Sequence, residues 1–159
     1  MLSSLEGDQG IPSQGLDLLP VNSAHRTNLL LTLSYGLGRQ GRQYESYQVL
    51  KQAQLMAVAH GIDSMLIFSY MEECHIALDL NAIEHAGLLY GAYLELAETT
   101  GYSSNSPTRR ILRPKVELEK RLEHGQYLEL LARGAKMPKT ELIQMRIPVP
   151  MSDVSINQL

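Results

Sequence analysis

The chain echoes itself at a shift of forty positions. Sliding it by that amount superposes "LKQAQLMAVAHG" (50–61) on "YGAYLELAETTG" (90–101), setting Leu50 on Tyr90, Ala57 on Ala97 and Gly61 on Gly101. The same shift brings Ser46 onto Ala86, Leu30 onto Tyr70, and Gly41 onto Asn81, a residue that also tolerates bends. An internal period of this length means that the chain is written in modules, each of which must bury its apolar face on a neighbour.

Each module reads as a pair of helices. Asn22 or Ser23 caps a first helix in which Leu30, Leu33 and Leu37 recur at three- and four-residue spacing, ending near Gln40. After Gly41, Tyr47, Leu50, Ala53 and Ala57 mark one face of a second helix, stopped by Gly61. Asp63 or Ser64 opens a third, with Ile67, Tyr70, Cys74 and Ala77 as its stripe, and a fourth runs over Ala82, Ala86, Leu89, Tyr93 and Leu96 to Gly101. With no Trp and one Phe in 159 residues, the core must come from Leu, Ala, Ile, Met and Tyr, a palette that favours helices.

Around these hairpins lie three weaker regions. Residues 1–21 read as a flexible arm. The turn formers of "GYSSNSPTRR" lead into a third section, in which Pro107 and Pro114 both look like helix starts and Gly125 like a bend between "PKVELEKRLEH" and "QYLELLAR". Residues 147–159, with Pro148 and Pro150, should be extended or disordered. The expected domain is therefore 22–146, with hairpins at 22–61 and 63–101 and a capping section at about 107–146.

The offsets of small and bulky residues resemble the tetratricopeptide repeat, which stacks helix pairs into a grooved superhelix. Leu30, Leu33, Ser34 and Leu37 match its first helix, Gly41 its turn, and Ser46, Leu50 and Ala53 its second helix. The second copy offers Tyr70, Cys74, Ala77, Ala86 and Tyr90, but places Glu73 where a Leu is expected. Neither copy ends in the usual Pro, and the spacing exceeds the usual value of about 34. Such long repeats are similar to those of the large ATP-dependent bacterial activators of the LuxR type. The resemblance implies an all-α fold, a short α-solenoid of hairpins with a C-terminal helical cap. It also implies a protein–protein interaction scaffold or adaptor that takes a peptide or helix in the groove of the first and third helices. By repeat analogy the groove residues are Asn28, Tyr35, Arg39, Met71, His75 and Asp79; the same faces could instead pack against the third section.

Other chemistry is weaker. Gly36, Gly38 and Gly41 spell G-x-G-x-x-G, yet a dinucleotide site needs a strand before it and an acidic residue closing a second strand, and Asp63 precedes the next apolar run instead of ending it. Arg42 and Gln43 stand where a phosphate loop needs Lys and a hydroxyl. Glu72 and His75 form half of a carboxylate metal motif with no second half, and read as a solvated pair. No catalytic residue, cofactor or metal is expected. A regulatory or ligand-sensing module, with a pocket lined by Tyr35, Tyr70 and Tyr90, is the alternative.

Charge is uneven: residues 1–100 carry 4 basic and 11 acidic side chains, and 101–146 carry 10 and 5. Self-association of acidic and basic ends is one consequence. Nucleic acid is disfavoured, because no aromatics beyond Tyr102 interleave "TRRILRPK" and Glu117, Glu119 and Glu123 follow it. Glu6 and Asp8 stand where a secretory leader needs cations, and "LLLTL" is far short of the roughly 18 apolar residues of a membrane span. With a single cysteine, Cys74, a cytoplasmic location is expected.

Overall fold

A computed structural model describes residues 24–102 and 109–151. The expected arm at 1–21, the caps Asn22 and Ser23, the helix start at Pro107 and most of the tail lie outside these residues. Among the described residues the regular structure is entirely helical: α1 (Ala24–Arg39), α2 (Gln43–Ala59), α3 (Asp63–Asp79), α4 (Ile83–Thr100), α5 (Arg109–Arg121), α6 (His124–Lys136) and α7 (Lys139–Leu142). None is long and apolar enough to cross a membrane. The described residues divide into two compact units, 24–65 with 149–151, and 66–102 with 109–148.

The corners explain the forty-residue echo, and each is made the same way. Gly41, Gly61, Asn81 and Gly101 adopt left-handed backbone, with φ of 79°, 66°, 59° and 72°. In each case the following N–H reaches the carbonyl five residues back, at 3.0 Å for Arg42 to Leu37, 2.9 Å for Ile62 to Ala57, 2.8 Å for Ala82 to Ala77 and 2.9 Å for Tyr102 to Ala97. These bonds satisfy carbonyls that the helix end would otherwise leave bare. Asn81 stands in for glycine because its short polar side chain lowers the cost of the left-handed region.

In the first unit, α1 and α2 form a hairpin around a pair of serines. Ser34 Oγ donates to the Ser46 carbonyl at 2.8 Å, and Ser46 Oγ donates to the Ser34 carbonyl at 2.6 Å. Small side chains at both positions let the helices approach closely. Gly38 belongs to the same contact: a Cβ there would meet Ser46 Oγ at 3.3 Å. Gly36 has no neighbour within 4 Å of the same point, and nothing in the structure explains it. The glycines of "YGLGRQG" thus sit in a helix and at its corner, with "LLLTLSY" helical ahead of them, where the dinucleotide fingerprint has a strand.

In the second unit, α3 from Leu66 onward, α4, α5 and α6 enclose Leu66, Tyr70, Cys74, Leu78, Leu89, Leu118 and Leu130. Cys74 Sγ donates to the Ala86 carbonyl at 3.4 Å, so the pair forty residues after Ser34 and Ser46 makes the equivalent contact. Between α4 and α6 the backbones touch. A Cβ on Gly91 would overlap the Leu131 carbonyl, and one on Gly134 the Leu88 carbonyl, so only glycine fits at either place.

The third section departs from expectation in two places. Pro114 does not start a helix; α5 begins at Arg109 and runs through it. A proline here removes the N–H that would bond the Arg110 carbonyl, and its buried ring in the unit compensates by packing. Nor is Gly125 a bend: the chain turns at residues 122–123, and Gln126 Oε1 accepts from the Glu123 N–H at 3.3 Å to start α6. Past α7 the described end of the tail lacks helix, as its prolines require, yet Ile147 and Val149 are buried.

Candidate functional site

The six residues singled out from the sequence fall into two groups of three, one on each compact unit. On α1, Asn28, Tyr35 and Arg39 are all exposed and lie at i, i+7 and i+11, which is one face of a helix. The Arg39 guanidinium lies 5.8 Å from the Tyr35 ring centroid, and its Nη1 donates to Tyr35 Oη at 3.3 Å. Tyr35 is 46% exposed, an aromatic ring held against one cation with its other side in water.

On α3, Met71 and His75 are buried and Asp79 is exposed. This face is covered by α5. Arg113 donates from Nη2 to Asp79 Oδ1 at 2.6 Å and from Nη1 to His75 Nδ1 at 3.2 Å. Arg110 pairs with Glu72, and Arg121 donates to Asn81 Oδ1 at 3.2 Å. Glu72 and His75 are therefore not a solvated pair of their own; each is taken by an arginine of α5. Burial pushes His75 down to about 4, the charges of Arg110 and Arg113 push in the same direction, and Asp79 and the Arg110 backbone only partly offset them. The ring is neutral, so Nδ1 can accept from Arg113.

One residue behind this face lies a second polar pair. Glu73, fully buried, accepts from His85 Nε2 of α4 at 2.8 Å. The residue that breaks the leucine pattern of the repeat thus has a partner twelve positions on, where the first hairpin has Leu33 and Glu45. A furrow of about 390 Å³ beside His85 is walled by Leu88, Arg146, Ile147 and Pro148. Arg146 Nη1 donates to the Ile143 and Met145 carbonyls at 2.6 and 2.9 Å, which ties that wall down.

Of the tyrosines of the ligand-sensing reading, Tyr35 is half-exposed on the first unit. Tyr70 and Tyr90 are buried in the second unit, and Tyr90 stacks on Tyr93 with ring centroids 6.2 Å apart. Burial, with Tyr127 nearby, raises the Tyr90 hydroxyl to about 12. Burial likewise lifts the Cys74 thiol to about 12, which keeps it protonated and unreactive. Among the described residues, no three His, Cys, Asp or Glu side chains are grouped to hold a metal ion.

The sequence shows the arginines of "TRRILRPK" as a basic run but not their partners on α3. Their signal was present in the numbering: Glu72 and Arg110 lie 38 positions apart, and Asn81 and Arg121 lie 40 apart, so the third section follows nearly the same period as the hairpins. No family model, curated protein or solved structure matches the chain.

Proposed function

We propose that this protein is an interaction scaffold of tetratricopeptide-like hairpins, in which α5 and α6 act as a third, capping pair. It binds a peptide or helix of a partner protein along α1. The observation that supports this most directly is the Asn28, Tyr35 and Arg39 stripe. A half-exposed aromatic braced by an arginine loses little side-chain freedom on binding, and such Tyr and Arg pairs are the residue types that dominate protein interfaces. Asn28 adds a polar anchor one face-length away. In this reading His75 and Asp79 serve the scaffold by gripping Arg113, while Met71 packs beneath them. The work of the protein is recognition in the cytoplasm, with no chemical step of its own.

Affinity capture from the native host tests this. Tyr35→Ala and Arg39→Glu, both at exposed positions, should each lower recovery of a saturable partner by about tenfold while the helical circular dichroism spectrum is unchanged. Undiminished recovery with both variants would remove α1 as the site.

A further inference from the structure

The first turn of α5 has little of its own to hold it in place. Residues 109–113 lie ahead of Pro114, whose missing N–H leaves the Arg110 carbonyl without its helical bond. No acidic residue stands in this turn, and Arg109 and Arg110 set positive charge against the positive end of the helix dipole. The buried anchors of α5, Pro114 and Leu118, both come after it. What keeps the turn down is α3. Arg110 pairs with Glu72, and Arg113 donates to Asp79 Oδ1 at 2.6 Å and to His75 Nδ1 at 3.2 Å. The two arginine side chains are 46% and 34% exposed, and ion pairs open to water to that degree are weak.

The face beneath does not depend on this turn for its order. Glu72, His75 and Asp79 lie at i, i+3 and i+7 along one side of α3, a helix fixed in the core by Leu66, Tyr70, Cys74 and Leu78. The two carboxylates are seven residues apart, about 10 Å along the axis, which is too far for one metal ion to bridge. Two guanidinium groups three residues apart span them, with the neutral imidazole as an acceptor between. We propose that residues 109–113 are a latch occupying an arginine-reading face of α3, and that a partner segment with two arginines three residues apart takes this face when the latch lifts at Pro114. The rest of α5 stays docked through Leu118 and through Arg121, which donates to Asn81 Oδ1 at 3.2 Å. While the latch is down, the partner's apparent affinity falls in proportion to the fraction of chains that are open.

The latch does not rest on the α1 stripe, so Tyr35→Ala should not affect it. Its test uses the full chain and a fluorescent alanine-based helical peptide with two arginines three residues apart, beside controls with glutamines or lysines at those two positions. In fluorescence anisotropy, Arg110→Gln with Arg113→Gln should bind the arginine peptide about tenfold more tightly than the parent does. Arg110→Gln alone, which cuts one exposed pair, should give a smaller gain in the same direction. Adding Glu72→Gln and Asp79→Asn to the double variant should remove the gain, and the lysine peptide should bind severalfold more weakly than the arginine one. Lys115→Gln with Lys120→Gln takes the same charge from exposed positions of the same helix and should leave the parent's affinity unchanged. The helical spectrum should be constant throughout, because Pro114 and Leu118 are untouched. The proposal is overturned if opening the latch gives no gain, if the gain survives loss of the two carboxylates, or if the lysine variant reproduces it. Self-association of the parent that the double variant loses would overturn it too, because the face would then hold the arginines of a second copy.

Discussion

His75 ties the stability of the second unit to acidity. Its folded value of about 4 lies below the ordinary 6.5, so between those limits the unfolded chain takes up a proton that the folded chain refuses. Its contribution is complete above about pH 6.5 and is lost as pH falls towards 4, up to about 3 kcal/mol in all. Urea denaturation at neutral pH and at about pH 4.5 should show this loss, and His75→Gln should shrink the difference. The glycines give a sharper contrast. Gly91→Ala must push the Leu131 carbonyl aside and should destabilise by about 3 kcal/mol or more, whereas Gly36→Ala has open space and should stabilise by about 1 kcal/mol in the same assay. Both glycines look alike as letters in a helix. The sequence hinted at the difference only through the spacing of Gly87 and Gly91, four apart and so on one side of α4, since the partner backbone at Leu131 comes from a helix forty residues on.

At the scale of elements, the paired hairpins predict their own exchange of parts. Ser34→Cys with Ser46→Ala writes the Cys74 and Ala86 contact into the first hairpin, and thermal melting should register a loss of no more than about 2 kcal/mol. The reverse holds for the buried acid of α3. His85→Ala takes this partner from the Glu73 carboxylate and should cost about 3 kcal/mol, while Glu73→Leu with His85→Ala should cost less, because no charge is then left inside. The end of α1 and the bounds of α2 to α4 were legible because apolar period and left-handed corner agree there. The start of α5 was not, because propensity alone treats Pro114 as a boundary. The ion pairs with Glu72 and Asp79 of α3 and the packing on α4, distant in sequence, offset the cost of the proline.

Across the whole molecule, protection should follow burial. In α5 only Pro114 and Leu118 are buried and its arginine pairs are partly exposed, whereas α4 buries nine residues including Leu89 and Tyr90. Hydrogen exchange in native buffer should therefore release the amides of α5 well before those of α4; equal protection would mean that the ion pairs contribute more than surface pairs usually do. The all-helical class could be read from period and composition. The pairing of α5 with α3 could not, since opposite charges far apart in a chain carry no mark of which will meet.

The corners at residues 41, 61, 81 and 101 also govern how such a chain can change in length. One residue inserted within a helix would rotate all that follows by about 100° and carry the next left-handed corner onto a residue unsuited to it. Growth or shrinkage by single codons is thus penalised everywhere between these corners, and a tandem duplication of forty residues is the smallest edit that restores every facing side chain to its place.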